Sequence, residues 1–189
     1  QCGAAAKSPN VHHRNLIMET VEELKLSADS IKNFLTEKGE ISLIVTAEDV
    51  WGKSVLIAAA SHFEHELGRA IERSASRQEI PEYFRSLIES KAISRQFYSY
   101  FDFDSSNTNK LFRTFGPTCK SKAESKIKDS KELRESQAAF LKVCSLRNQM
   151  VHGNYASFNI DLTTDEIYDL YRSGCKFVEF FEAIISEWH

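Results

Sequence analysis

Arg147, Asn148 and His152 bring a fixed cation, a side-chain amide and a titratable imidazole into six consecutive positions. They belong to the string Ser145-Leu146-Arg147-Asn148-Gln149-Met150-Val151-His152-Gly153-Asn154-Tyr155, and no other segment concentrates reactive groups in this way. A guanidinium presents a planar fork of donors that matches phosphate oxygens. An imidazole, with an unperturbed pKa of about 6.5, gives or accepts a proton near neutral pH. The amide of Asn148 can orient His152 or bond a phosphate, but it moves no proton. Such a set suits scission of an RNA phosphodiester with no metal and no other cofactor. The ribose 2′-hydroxyl attacks the adjacent phosphorus, the 5′-oxygen leaves, and a 2′,3′-cyclic phosphate remains. DNA lacks the attacking hydroxyl.

Helical spacing sets a condition on that chemistry. Residues four apart on an α-helix are neighbours, whereas residues five apart are turned by about 140°. Asn148 and His152 therefore share a face, but Arg147 and His152 do not. Three arrangements would unite them. The arginine reaches round, the helix loosens near Gly153, or two copies of the string meet across a two-fold axis, where each patch faces itself. The third makes one chain an incomplete site. The spacing alone also has a plain alternative, because an arginine near a helix end simply answers the C-terminal dipole.

The helix that must carry the string is expected from about Ser130 to His152, with Leu133, Gln137, Phe140, Cys144, Arg147 and Val151 along one stripe. Other runs share the three- and four-residue apolar spacing. One spans Val11 to Lys38 and stops at Gly39; a second spans Ala47 to Ser76. A third begins at Pro81, where a missing N–H costs nothing. Asn109 to Phe115 reads as a short helical turn, and Ile41 to Thr46, β-prone but without a partner strand, as a connection. Thr163 and Glu166 form a capping-box pattern that opens a last helix through Ile167, Tyr171, Phe177 and Phe181. No repeat or linker divides the chain. The expectation is a single all-α domain over residues 11–189, with about five main helices and short extra turns. Residues 1–10 read as a disordered tail or an expression remnant.

Composition agrees with that architecture. The 189 residues suffice for one core, and seven glycines and three prolines leave long helices unbroken. No apolar run reaches the roughly 18 residues of a membrane span, and the N-terminal ten show no signal-peptide core. With four scattered cysteines, none in a C-x-x-C pair, a cytoplasmic protein with reduced thiols is expected. A formal charge of −3 argues against a general polyanion binder but leaves room for a local phosphate site. Lys120, Lys122 and Lys126, in a run with Lys128, Lys131 and Arg134, are candidates for steering RNA. A solvated helix face or mobile loop is the plainer reading of that run.

His62, His65 and Glu66 also share a helical face, at ligand-like spacing that matches no zinc signature. A metal hydrolase built on them is one reading; solvent-facing or core-bonded polar residues are the plainer one. The aromatic run Phe97 to Phe103 could stack bases, although core or dimer packing accounts for it more simply.

The string Leu146-Arg147-Asn148-Gln149-Met150-Val151-His152-Gly153 resembles the C-terminal R-N-x-x-x-H-G motif of the HEPN superfamily. Ser61-His62-Phe63-Glu64-His65-Glu66-Leu67 and Leu111-Phe112-Arg113-Thr114-Phe115-Gly116 resemble segments of its RiboL-PSP branch. The resemblance implies a HEPN-like helical bundle and a homodimeric, metal-independent endoribonuclease with a composite active site. Arg147 and His152 would be catalytic and Asn148 supporting. Glu64, with Glu66 as the alternative, would brace the arginine. A role as a toxin or anti-phage defence effector follows by the same resemblance, with RNA as substrate and a cognate antitoxin or other defence protein as a further partner. The alternative within the family is a non-catalytic HEPN module that binds RNA, nucleotide or a protein.

Overall fold

A computed structural model of the chain describes residues 9–77, 80–93, 96–103 and 105–187, and of residues 9–19 the backbone alone. Seven α-helices account for most of these: α1 Pro9–Lys38, α2 Ile41–Ser76, α3 Glu82–Ile88, α4 Asn109–Thr114, α5 Pro117–Asp129, α6 Lys131–His152 and α7 Thr164–Ser186. A π-helical turn, Glu89–Ile93, extends α3, and a 3-10 turn spans Phe97–Tyr100. No strand occurs among the described residues, so the all-α expectation holds.

Where the helices begin differs in part from the sequence reading. Of the expected tail, residues 1–8 lie outside the described residues, whereas Pro9 and Asn10 already belong to α1. The segment Ile41 to Thr46 is not a connection but the first turns of α2. Gly39 adopts a left-handed φ of 73° and reverses the chain within two residues. Helix propagation downstream then outweighs the weak β preference of Ile41 and Val45. The basic run is helix too: Gly116 (φ 98°) breaks α4, and Pro117 starts α5 without losing a bonded N–H. The capping box read at Thr163 forms, and the helix expected from about Ser130 starts there with Ser130 as its cap. Ser130 accepts from the Leu133 N–H, and Thr163 and Glu166 complete a capping box.

Helices α2, α6 and α7 enclose the core, with α1 laid along α2. Phe63 of α2 lies at the centre, its ring 5.0 Å from Phe140 of α6 and 5.6 Å from Tyr171 of α7. Phe140 in turn meets Phe177 at 4.8 Å, while Phe97 and Phe101 close over it from the 3-10 turn. The aromatic run is therefore core, as its plainer reading held. At the far end of α7, Phe112 of α4 packs against Phe177, Phe180 and Phe181. Cys119 and Cys144 are buried free thiols and Cys175 is a partly buried one; Cys2 lies outside the described residues.

Gly174 allows the centre to close. A Cβ there would stand 2.5 Å from the Phe63 ring and 3.2 Å from the Phe140 Cα. The second obstacle is backbone and cannot swing aside. Gly174→Ala should therefore cost about 1–3 kcal/mol through overpacking, read as a lower urea midpoint at unchanged m-value.

A cluster of charges fixes the other end of α7. Lys25 bonds Asp29 and Asp165, both at 2.6 Å, and Lys32 reaches Glu48 at 2.6 Å. Glu48 also accepts from the Thr164 hydroxyl and N–H, at 2.8 and 3.2 Å. Burial opposes the charge of Glu48, but the bonds from Lys32 and Thr164 outweigh it and hold its pKa below the ordinary value. The bond from Lys25 does the same for Asp165. Carboxyls depressed in the fold stabilise it above their unfolded pKa of about 4 and cease to do so as pH falls through the folded values. Acid titration followed by circular dichroism should show stability falling below about pH 4, and Glu48→Gln should flatten that fall.

Candidate functional site

The string that could do chemistry occupies the last turns of α6. The helix stays regular to its end, with the Gly153 N–H bonded to the Gln149 carbonyl at 2.9 Å. Loosening near Gly153 is thus not how Arg147 and His152 could meet. At about 100° per residue, the order around the helix surface is Arg147, Val151, Asn148, His152. Met150, buried completely, takes the core side of this turn, and Val151 is 48% exposed despite its place on the expected apolar stripe. The stripe turns away from it because the core contacts of α6 drift towards Val143 and Met150. Arg147 and Asn148 are half-buried and His152 is exposed.

Arg147 is held by an aromatic face. Its guanidinium carbon lies 4.4 Å from the ring centroid of Tyr98, in the 3-10 turn. Such a contact is worth about 0.5–2 kcal/mol, depending on desolvation. Burial pushes the Tyr98 hydroxyl well above the ordinary phenol range, so it stays protonated and cannot serve as a base. Burial raises the Cys144 thiol likewise, and it is no nucleophile. The Glu64 carboxylate adds to both upward shifts and Arg147 opposes both. Glu64 is therefore the candidate brace that lies in the arginine's surroundings, although no ion pair within 4 Å joins them among the described residues. Glu66 stands about 200° further round α2. It is 3% exposed and lies 3.7 Å from Arg73, which Glu182 grips through two bonds of 2.8 and 2.9 Å.

The other face of the motif is bordered by α2. Lys53, only 4% exposed, bonds Asp49 at 2.8 Å and lies 5.4 Å over the ring of Tyr155, just past the helix end. With Lys53 beside Tyr155 and Glu64 near Arg147, the intervening stretch of α2 runs antiparallel to the end of α6. Ile57 within that stretch and Val50 just before it are 37% and 52% exposed. Sequence reading missed both Tyr98 and Lys53. Nothing in spacing links either to the motif, since their roles depend on which helices lie side by side.

The lysines proposed to steer RNA lie elsewhere. Lys122 and Lys126 both pair with Glu187 at the end of α7, at 2.5 and 3.2 Å, and Lys120 pairs with Glu124. Because α7 runs antiparallel to α6, Glu187 sits at the start of α6. The length of that helix, about 33 Å for its 22 residues, separates Lys122 and Lys126 from His152. His62, of the ligand-like trio, is buried with its Nδ1 at 2.8 Å from the Tyr171 hydroxyl. Among the described residues, no three His, Cys, Asp or Glu side chains converge as metal ligands. No described helix is long and apolar enough to cross a membrane.

No match was found among curated proteins or among solved structures. The family model of RiboL-PSP-HEPN matches residues 22–187, which takes in α2, the motif helix α6 and all of α7. The chain belongs to the RiboL-PSP-HEPN family.

Proposed function

We propose that this HEPN domain is a metal-independent endoribonuclease acting as a homodimer, with Arg147 of one protomer and His152 of the other in each site. The observation that carries the reading is the geometry of the α6 end. The helix holds Arg147 and His152 about 140° apart, Tyr98 retains the arginine on its own side, and of the two residues between them, Val151 and Asn148, Val151 is an exposed apolar one. Val50 and Ile57 of α2 are exposed apolar residues as well. Self-association over this face would cover all three and set two motifs against each other.

In the site so formed, Arg147 binds the scissile phosphate and stabilises the charge that builds on its equatorial oxygens. His152 exchanges a proton with the attacking 2′-hydroxyl or the departing 5′-oxygen. Asn148, one turn before His152, orients the ring or adds a bond to phosphate. Action as a toxin or anti-phage effector, restrained by an antitoxin or another defence protein, is the setting that family resemblance suggests.

His152→Ala should lower cleavage of mixed RNA in EDTA at least about 100-fold. End-group analysis of the wild-type products should find 2′,3′-cyclic phosphate. A His152→Ala preparation that cuts at the wild-type rate would sink the mechanism, and tight partner binding without any cleavage would favour the non-catalytic module. Mixing inactive His152→Ala and Arg147→Ala chains tests the two-chain site. Half of the randomly formed dimers would carry one intact site of two, which restores about a quarter of wild-type activity. A site complete within one chain would restore nothing. Ile57→Asp should yield monomers by sedimentation, with cleavage lost and helicity kept.

A further inference from the structure

The 3-10 turn that carries Tyr98 also borders a cavity of about 390 Å³, with Glu64, His65, Arg69, Glu72, Phe97 and Tyr100 among its walls. That volume falls in the range of small-molecule sites, roughly 300–1,000 Å³. The turn that supplies two of its aromatic walls also supplies Tyr98 to the arginine. Glu64 belongs to both places as well. The cavity is thus joined to the motif through a single turn and one side chain.

Its chemistry is that of a base rather than a phosphate. Among the described residues that line it, two carboxylates, Glu64 and Glu72, stand beside one guanidinium, Arg69, a mixed edge rather than a cradle for phosphate. Arg69 and Glu72, one helical turn apart, form a loose ion pair of 3.8 Å with both side chains partly exposed. Such a pair is weak and is open to re-pairing with a ligand that offers an acceptor beside donors. Single-stranded RNA is read in this manner, its bases splayed against aromatic rings and bonded along their Watson–Crick edges. Among the four bases, only guanine presents two adjacent N–H donors to a carboxylate, N1–H and the N2 amino group. Its O6 stands next to them as an acceptor for a guanidinium.

We propose that this cavity is a guanine-selective base subsite. Glu72 accepts from N1–H and N2–H, Arg69 donates to O6, and the Tyr100 ring bounds the base plane. The proposal rests on the ribonuclease reading for its purpose, and it assigns cleavage to phosphodiesters next to guanosine.

Calorimetric titration of the full chain with the 3′-monophosphates of guanosine, adenosine, cytidine and uridine tests it without requiring turnover. Guanosine 3′-monophosphate should bind at least about tenfold tighter than the other three. Glu72→Gln and Arg69→Gln should each bring it within about threefold of them, with circular dichroism unchanged. Equal binding of all four, no binding, or a preference that survives both substitutions overturns the subsite. Mapping the cut sites in mixed RNA separates the two claims. Guanine-selective binding without cleavage leaves the subsite standing and sinks the ribonuclease; cleavage indifferent to neighbouring guanine does the reverse.

Discussion

The fold depends on one close approach. Phe63 of α2 is seated between α6 and α7 because Gly174 has no side chain to obstruct it. Interiors are packed near crystal density, so a ring of this size has a single place to sit. That place fixes the register of α2 against α6. Glu64, the next residue along, is thereby carried into the surroundings of Arg147, and His62, one residue before, is directed to Tyr171. Phe140 transmits the same constraint to the 3-10 turn through Phe97 and Phe101. The turn then lays Tyr98 under the arginine.

Electrostatics complete what packing begins at the motif end of the bundle. Glu48 receives Lys32 and both donors of Thr164, and the Thr163–Glu166 box caps the same helix start. These bonds anchor the segment that follows His152 to α1 and α2. They answer the free N–H groups at the start of α7, which would otherwise be desolvated without partners. The motif is therefore offered from a fixed helix end rather than from a loop. Preorganisation of that kind suits groups that must stabilise charge without rearranging.

The surface is divided by the same arrangement. Val151 is an uncovered apolar residue within the motif itself, and Val50 and Ile57 of α2 are uncovered too, whereas Lys120, Lys122 and Lys126 of α5 are paired with Glu124 and Glu187. With a modest negative net charge, the chain offers no broad electrostatic field for RNA. In the ribonuclease we propose, recognition falls to local groups: one aromatic-backed arginine, one exposed imidazole and the mixed edge of Arg69 and Glu72.

The sequence by itself determined most of the helices, the start of the motif helix near Ser130, the cap at Thr163, and the identity of the reactive string. These follow from local spacing and from side chains that bond their own neighbouring backbone. It also held the geometric difficulty of Arg147 and His152, since five residues on a helix subtend the same angle in any context. It could not place Ile41 to Val45, where a two-residue turn at Gly39 allowed helix to start at once. Nor could it choose between Glu64 and Glu66, which differ only in the face of α2 they occupy. Tyr98 beneath Arg147, Lys53 beside Tyr155, the remoteness of Lys122 and Lys126, and the cavity behind Phe97 were decided by tertiary structure alone. Each arises from contact between segments remote in the chain, and those contacts exist only once Phe63 has set α2, α6 and α7 in register.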